Sequence, residues 1–250
     1  MKRRFSKIAE KKPKKIISAS TGEEVKASEG RKAPIKQAAP VGNAGGLRVG
    51  AVILWIVAIA FEVLAVLVLF GRINLTFLPM LYQLIIAIVL DLVCVIIGSQ
   101  LWKKANHIDP ASEANKVKFW MWNNMGLIVT VVAFVPLIIL ILTKKDADKK
   151  TKAIATVVAV IALLVGGLVN YDWNPVSAED KAAAVSALSG QHVYWAPFGR
   201  VYHTHTDCQS LNQSEQLTEG TVEEAIAASR TRLCSFCAKR DDITGVKTDE

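Results

Sequence analysis

Apolar residues in this chain are gathered into four near-continuous runs, residues 49–70, 79–102, 119–143 and 153–169, with the polar and basic residues collected between and around them. Each run is about 17 to 25 residues long, enough for a helix to cross a hydrocarbon core about 30 Å thick. Helices of a soluble core keep a polar face, and these runs have almost none. The pattern predicts a four-helix transmembrane bundle over residues 49–173.

After Asn170 the pattern shortens. Asn174-Pro175 and Val176 to Asp180 read as a turn and helix start, and Lys181 to Leu188 as a short Ala-rich helix ended by Ser189-Gly190, in a linker over residues 174–192. Val193-Tyr194-Trp195 and Arg200-Val201-Tyr202 are β-prone runs around the turn-forming Ala196-Pro197-Phe198-Gly199, which predicts a hairpin. Thr221-x-x-Glu224 is a capping box that opens a helix over residues 222–229. These elements predict a small α+β module over residues 193–240, followed by a flexible tail over residues 241–250.

A net charge of +8 in a soluble protein would point to nucleic acid. Here the charge is sorted along the chain. Residues 1–48 carry thirteen Lys and Arg against four Glu, interspersed with Gly, Ala, Ser and Pro, a composition expected to stay disordered. Lys and Arg concentrate on the cytoplasmic side of spans, so this tail is expected inside, where Lys11-Lys12-Pro13-Lys14-Lys15 can touch anionic lipid. The basic stretch and the first apolar run are both too long for a cleaved signal peptide. Near the C-terminus, Arg230, Arg232, Lys239 and Arg240 are countered by Asp241, Asp242, Asp249 and Glu250, which disfavours nucleic-acid binding.

The loops refine this topology. With the N-terminus inside, the loop carrying only Arg72 lies outside, and the loop carrying Lys103, Lys104, Lys116 and Lys118 lies inside. The third loop breaks the rule, because Lys144, Lys145, Lys149, Lys150 and Lys152 face outside. The tail and first helix outweigh one short loop, so the expectation is a multi-pass protein of the cell membrane with both termini and the C-terminal module in the cytoplasm. Trp102, Trp120, Trp122, Tyr171 and Trp173 fall at run ends, the headgroup level favoured by amphipathic rings.

Two carboxyls interrupt the apolar runs, Glu62 in the first and Asp91 in the second. Ionisable groups at that depth are costly and mark functional sites by default. The midpoint between them falls at residues 76 and 77, inside the connecting turn, so an antiparallel hairpin puts both at one depth. A proton or cation relay and hydrogen-bonded packing between helices both fit this placement.

Three of the four cysteines follow the spans, as Cys208 and Cys234-x2-Cys237, with His203 and His205 just upstream of the first. A Cys-x2-Cys turn presents two thiolates to one ion, and a His/Cys pair from elsewhere completes a tetrahedron suited to zinc. His203 directly follows a predicted strand and is the preferred ligand, with His205 as the alternative. An odd number of cysteines on a cytoplasmic module disfavours a disulfide. So small a module needs the ion's binding energy to fold.

The sequence Gly199-Arg200-Val201-Tyr202-His203, then Asp207-Cys208-Gln209-Ser210-Leu211, Thr221-Val222-Glu223-Glu224-Ala225 and Cys234-Ser235-Phe236-Cys237 resembles small bacterial metal-binding modules related to the zinc domain of Ada-type methylation-repair proteins. The resemblance spans about residues 193 to 239 and rests on its metal-ligand spacing. It implies zinc held by Cys208, Cys234 and Cys237 with His203 in the fourth place. The repair proteins have a fourth Cys at that place, and no methyltransferase domain accompanies the module here, so repair chemistry does not carry over.

Four protein ligands make a closed, structural-type zinc site, and the chain lacks a Ser/His/Asp set, a phosphate loop and a His-Glu-x-x-His motif. The sequence thus favours a non-enzymatic membrane protein whose zinc module docks a protein partner or senses metal or redox state. The alternative is a proton- or cation-coupled transporter or channel component using Glu62 and Asp91.

Overall fold

The computed structural model describes residues 14–26, 42–74, 76–145 and 148–249. The chain divides into two compact units, Gly42–Glu179 and a second built from both ends, Met1–Val41 with Asp180–Glu250.

Two short strands, β1 (Lys15–Ser18) and β2 (Glu24–Val25), precede the helices and belong to the second unit. The first unit is helical. Its α1 (Ala44–Leu69) starts at Asn43, whose side chain accepts from Gly46 N at 3.0 Å, and α2 (Met80–Ile108) returns antiparallel to it. After α3 (Lys116–Asn123) come α4 (Met125–Thr143) and α5 (Lys149–Asn170), the latter capped by Asp148. Helices α1, α2, α4 and α5, of 26, 29, 19 and 22 residues, are long and apolar enough to cross a membrane. Their core sets Leu84, Ile88, Phe134, Leu137 and Ile141 against Ala155, Ala159 and Ala162 of α5. Small residues on one helix let a neighbour's large side chains approach its backbone, the usual way apolar helices associate without a hydrophobic driving force between them.

The third apolar run is two helices rather than one. Asn123 and Asn124 turn their side-chain amides back onto the carbonyls of Phe119 and Trp120, both at 3.0 Å, and Asn124 Oδ1 also accepts from Asp172 N at 3.1 Å. This side-chain competition for the backbone ends α3, so the apolar helix begins at Met125. Trp102 is also placed differently from a headgroup anchor. It is buried between Trp55 and Trp122, with ring centroids 5.3 and 5.1 Å away, and donates to Trp122 O at 2.8 Å. Trp120 and Trp173 are exposed.

Helix α6 (Ala178–Ala187) runs across the boundary at Glu179, and the second unit continues through β3 (Val193–Trp195), β4 (Val201–Tyr202), β5 (Gln216–Gly220), α7 (Val222–Ala227), β6 (Arg232–Leu233) and α8 (Ser235–Arg240). One sheet runs β2-β1-β5-β3 and a second pairs β4 with β6. The predicted hairpin is reduced to a single bridge between Tyr194 and His203, because β3 takes β5 as its partner and β4 takes β6.

Residues 1–48 are therefore not a wholly disordered tail. Lys15 to Ser18 lie parallel to Gln216 to Glu219 in a four-residue ladder, β2 folds back on β1, and Ile16 is buried. The composition argument fails here because the partner strand lies at the far end of the chain. Lys11, Lys12 and Pro13, part of the predicted lipid-contact run, lie outside the described residues. The segment expected to be a flexible tail is pinned as well. Leu233 N donates to Lys247 O, Asp249 N donates to Leu233 O, and Asp249 Oδ1 accepts from Ser235 N.

Replacing Ile16 with Ala removes a buried apolar side chain and is expected to destabilise this sheet by about 2–5 kcal/mol. Hydrogen exchange on the full-length protein checks it. The amides of Gln216–Gly220 should exchange faster in the variant while those of α4 do not change.

Candidate metal centre

Strand pairing gathers the ligands. In the parallel pair, Val201 faces Arg232 and Tyr202 faces Leu233, so the next residues on each strand, His203 and Cys234, arrive side by side. Cys234 N donates to Tyr202 O at 2.9 Å, and His203 exchanges two 2.7 Å backbone hydrogen bonds with Tyr194. Cys234 is also the N-cap of α8, whose first turn carries Cys237 back towards the same point. Cys208 stands at the head of a short 3-10 turn, Gln209–Leu211. Lys14, just before β1, donates from Nζ to Thr206 O at 2.6 Å, so the N-terminal stretch also braces the loop between His203 and Cys208.

The ligand atoms of His203, Cys208, Cys234 and Cys237 lie within 4.8 Å of one another, and all four residues are buried. Cys208 Sγ and Cys234 Sγ are 3.8 Å apart, as are Cys237 Sγ and His203 Nδ1. A tetrahedral ion with metal–sulfur bonds of about 2.3 Å needs sulfur–sulfur edges of about 3.8 Å. One nitrogen and three sulfurs at this spacing can hold a metal ion. His205 is not in the group. Its Nε2 meets Asp241 Oδ1 at 2.7 Å, on a partly exposed side chain. Cys94 lies in α2, in the other unit, as a free thiol.

The electrostatics suit a cation. Burial pushes His203 down from 6.5 to about 4, against a weaker upward pull from Asp249, so its ring is neutral at neutral pH and keeps a lone pair for a metal. Burial also pushes the Cys208 thiol up to about 12. A bound cation reverses that cost by replacing the thiol proton.

Of the other residues singled out in the sequence, Asp91 is fully buried in α2 and Glu62 half-buried in α1, both in the helical unit. Two features escaped the sequence reading. Strand β5, Gln-Leu-Thr-Glu-Gly, alternates too weakly to be recognised, and Lys14 carries no local signal of its contact with the ligand loop.

No protein-family model, curated protein or solved structure matches this chain.

Metal retention should fail in acid. An imidazole with a depressed folded value binds protons less readily folded than unfolded. Its contribution is therefore complete above about pH 6.5 and is lost as pH falls towards 4, by up to about 1.4 kcal/mol per unit. Protonation of the thiolates acts in the same direction. Elemental analysis of purified full-length protein across this range should show about one equivalent of metal at neutral pH, released together with module unfolding, and none in a Cys234→Ser, Cys237→Ser variant.

Proposed function

We propose that the protein is a four-span membrane protein whose two chain ends build a single zinc-stabilised module in the cytoplasm, and that this module docks a protein partner. The observation that carries the reading is the ladder between Lys15–Ser18 and Gln216–Glu219. A chain whose two ends share one sheet can cross a membrane only an even number of times. Four helices with the length and apolarity of spans satisfy that requirement. The thirteen basic residues of 1–48 favour the cytoplasmic face for both ends.

Zinc is favoured over other ions by three thiols and one imidazole in a compact set. The set is closed, so its ion supports structure rather than reaction, in line with the resemblance to Ada-type modules and against an enzymatic role. Docking is favoured over metal or redox sensing by what the module displays. Phe198 is 99% exposed at the turn between β3 and β4. Arg230 holds that turn by donating to the carbonyls of Ala196 and Pro197. Phe236, between the paired cysteines, is exposed as well. An aromatic ring left in water on an anchored turn is the kind of side chain that fills a partner's pocket.

Topology and docking have separate tests. A membrane-impermeant thiol reagent applied to intact cells should label Ala147→Cys and leave a C-terminal cysteine tag unlabelled. Labelling of the tag overturns the cytoplasmic placement. A photo-crosslinking residue at position 198 should trap a protein in cells, whereas Phe198→Ser should retain metal and melting temperature because that side chain contributes no packing. Crosslinks to lipid alone, or none, overturn the docking role.

A further inference from the structure

The carboxyl of Asp91 is an unsolved charge problem within the helical unit. The side chain is fully buried and neither of its oxygens has a hydrogen-bond partner. Glu62, half-buried on α1, lies within electrostatic range of it. The register of the hairpin explains their meeting. A Cβ placed on Gly98 would lie 2.7 Å from Trp55 Nε1, so residues 55 and 98 face each other across α1 and α2. Moving about two helical turns along each antiparallel helix brings 62 opposite 91. Small neighbours on the same faces, Ala58 and Ala65 on α1 and Ala87 on α2, leave the two acids as the largest polar groups there.

No cation in the helices meets the pair. Within Met125–Thr143 there is no Asp, Glu, Lys, Arg, His, Cys or Tyr, and the only charged residues of α5 are Lys149, Lys150 and Lys152 in its opening turn. On α1, Arg48 is bound to Asp109 at 2.7 Å. On α2, Lys103 donates to the carbonyls of Val169 and Tyr171, and Lys104 and His107 lie still further from Asp91 along the helix. Cys94, one turn after Asp91, is the remaining titratable neighbour. If the acids were only hydrogen-bonded packing between helices, Asp91 would have a partner, and it has none. A buried carboxyl without hydrogen bonds is costly, and an ionised one beside a second carboxylate costs more.

We propose that Glu62 and Asp91 form a proton-binding site that titrates as one unit. The pair holds either two protons and no charge or one proton and a single negative charge, because repulsion in an apolar surrounding opposes ionising both. Glu62, the more accessible member, exchanges the proton with the outside. No hydrogen bond joins the two carboxyls, so they are linked through their charges: protonating either one lowers the cost of ionising the other. The site is separate from the metal module, and neither reading depends on the other.

Dicyclohexylcarbodiimide, which modifies protonated carboxyls in apolar surroundings, tests this on full-length protein in lipid nanodiscs. Peptide mapping should place its adducts on Glu62 or Asp91, with yield falling as pH rises. Neutralising one acid removes the repulsion felt by the other, so Glu62→Gln should shift the loss of Asp91 labelling to lower pH, and Asp91→Asn should do the same for Glu62. Metal content and melting temperature of each variant verify folding, and the parent protein's labelling profile stands without either variant. The proposal is overturned if neither acid reacts at any pH, if neutralising one leaves the other's profile unmoved, or if sodium or potassium chloride protects at constant pH, which would make the pair a cation site.

Discussion

Four parallel residue pairs, Lys15–Ser18 on Gln216–Glu219, tie the beginning of the chain to its end, and the rest of the molecule is arranged within that constraint. The ladder places β1 between β2 and β5, which covers the edge that β5 would otherwise present to other chains. It adds Ile16 to the buried side chains of the unit, which include Tyr194, Tyr202, Leu211, Leu217, Ile226 and Leu233. Because the same segment sends Lys14 to Thr206, the constraint reaches the loop from which the ligand Cys208 comes.

A metal ion held by the candidate cluster would add to that core. His203, Cys208, Cys234 and Cys237 bring the ends of β4 and β6, the turn after β4 and the start of α8 to one point, where a bound ion would cross-link them. The arrangement also explains why the imidazole is fixed at residue 203. The ring that follows Tyr202 is set beside Cys234 by strand register, whereas residue 205 lies beyond the ladder and pairs with Asp241 instead.

Features written in local pattern were legible from the sequence. The four apolar helices follow from run length, and the paired cysteines with His203 and Cys208 from spacing. The capping box at Thr221 and Glu224 forms as its motif implies, with hydrogen bonds of 2.8 and 3.2 Å. What escaped depends on distant partners. Lys-Ile-Ile-Ser has only two apolar residues and becomes a strand because β5 offers it an edge. Asp249 is held by backbone around Leu233 and by Ser235, a contact that no tail composition announces. Asn123 and Asn124 look like tolerated polar residues in an apolar run until their amides are seen bonded back to the carbonyls of the preceding turn.

The position of β1 has a consequence for biosynthesis. This strand leaves the ribosome before any of the apolar helices, yet its partner β5 is made only after all of them, and contacts so far apart in sequence form slowly. The four candidate metal ligands also follow every apolar helix, His203 and Cys208 before β5 and Cys234 and Cys237 after it. Closure of the sheet therefore follows synthesis of the helices, and a formed β1–β5 ladder certifies that they have already been made. A chain stalled before β5 would leave β1 paired only with β2 and its other edge open, a signature that quality-control proteases could read.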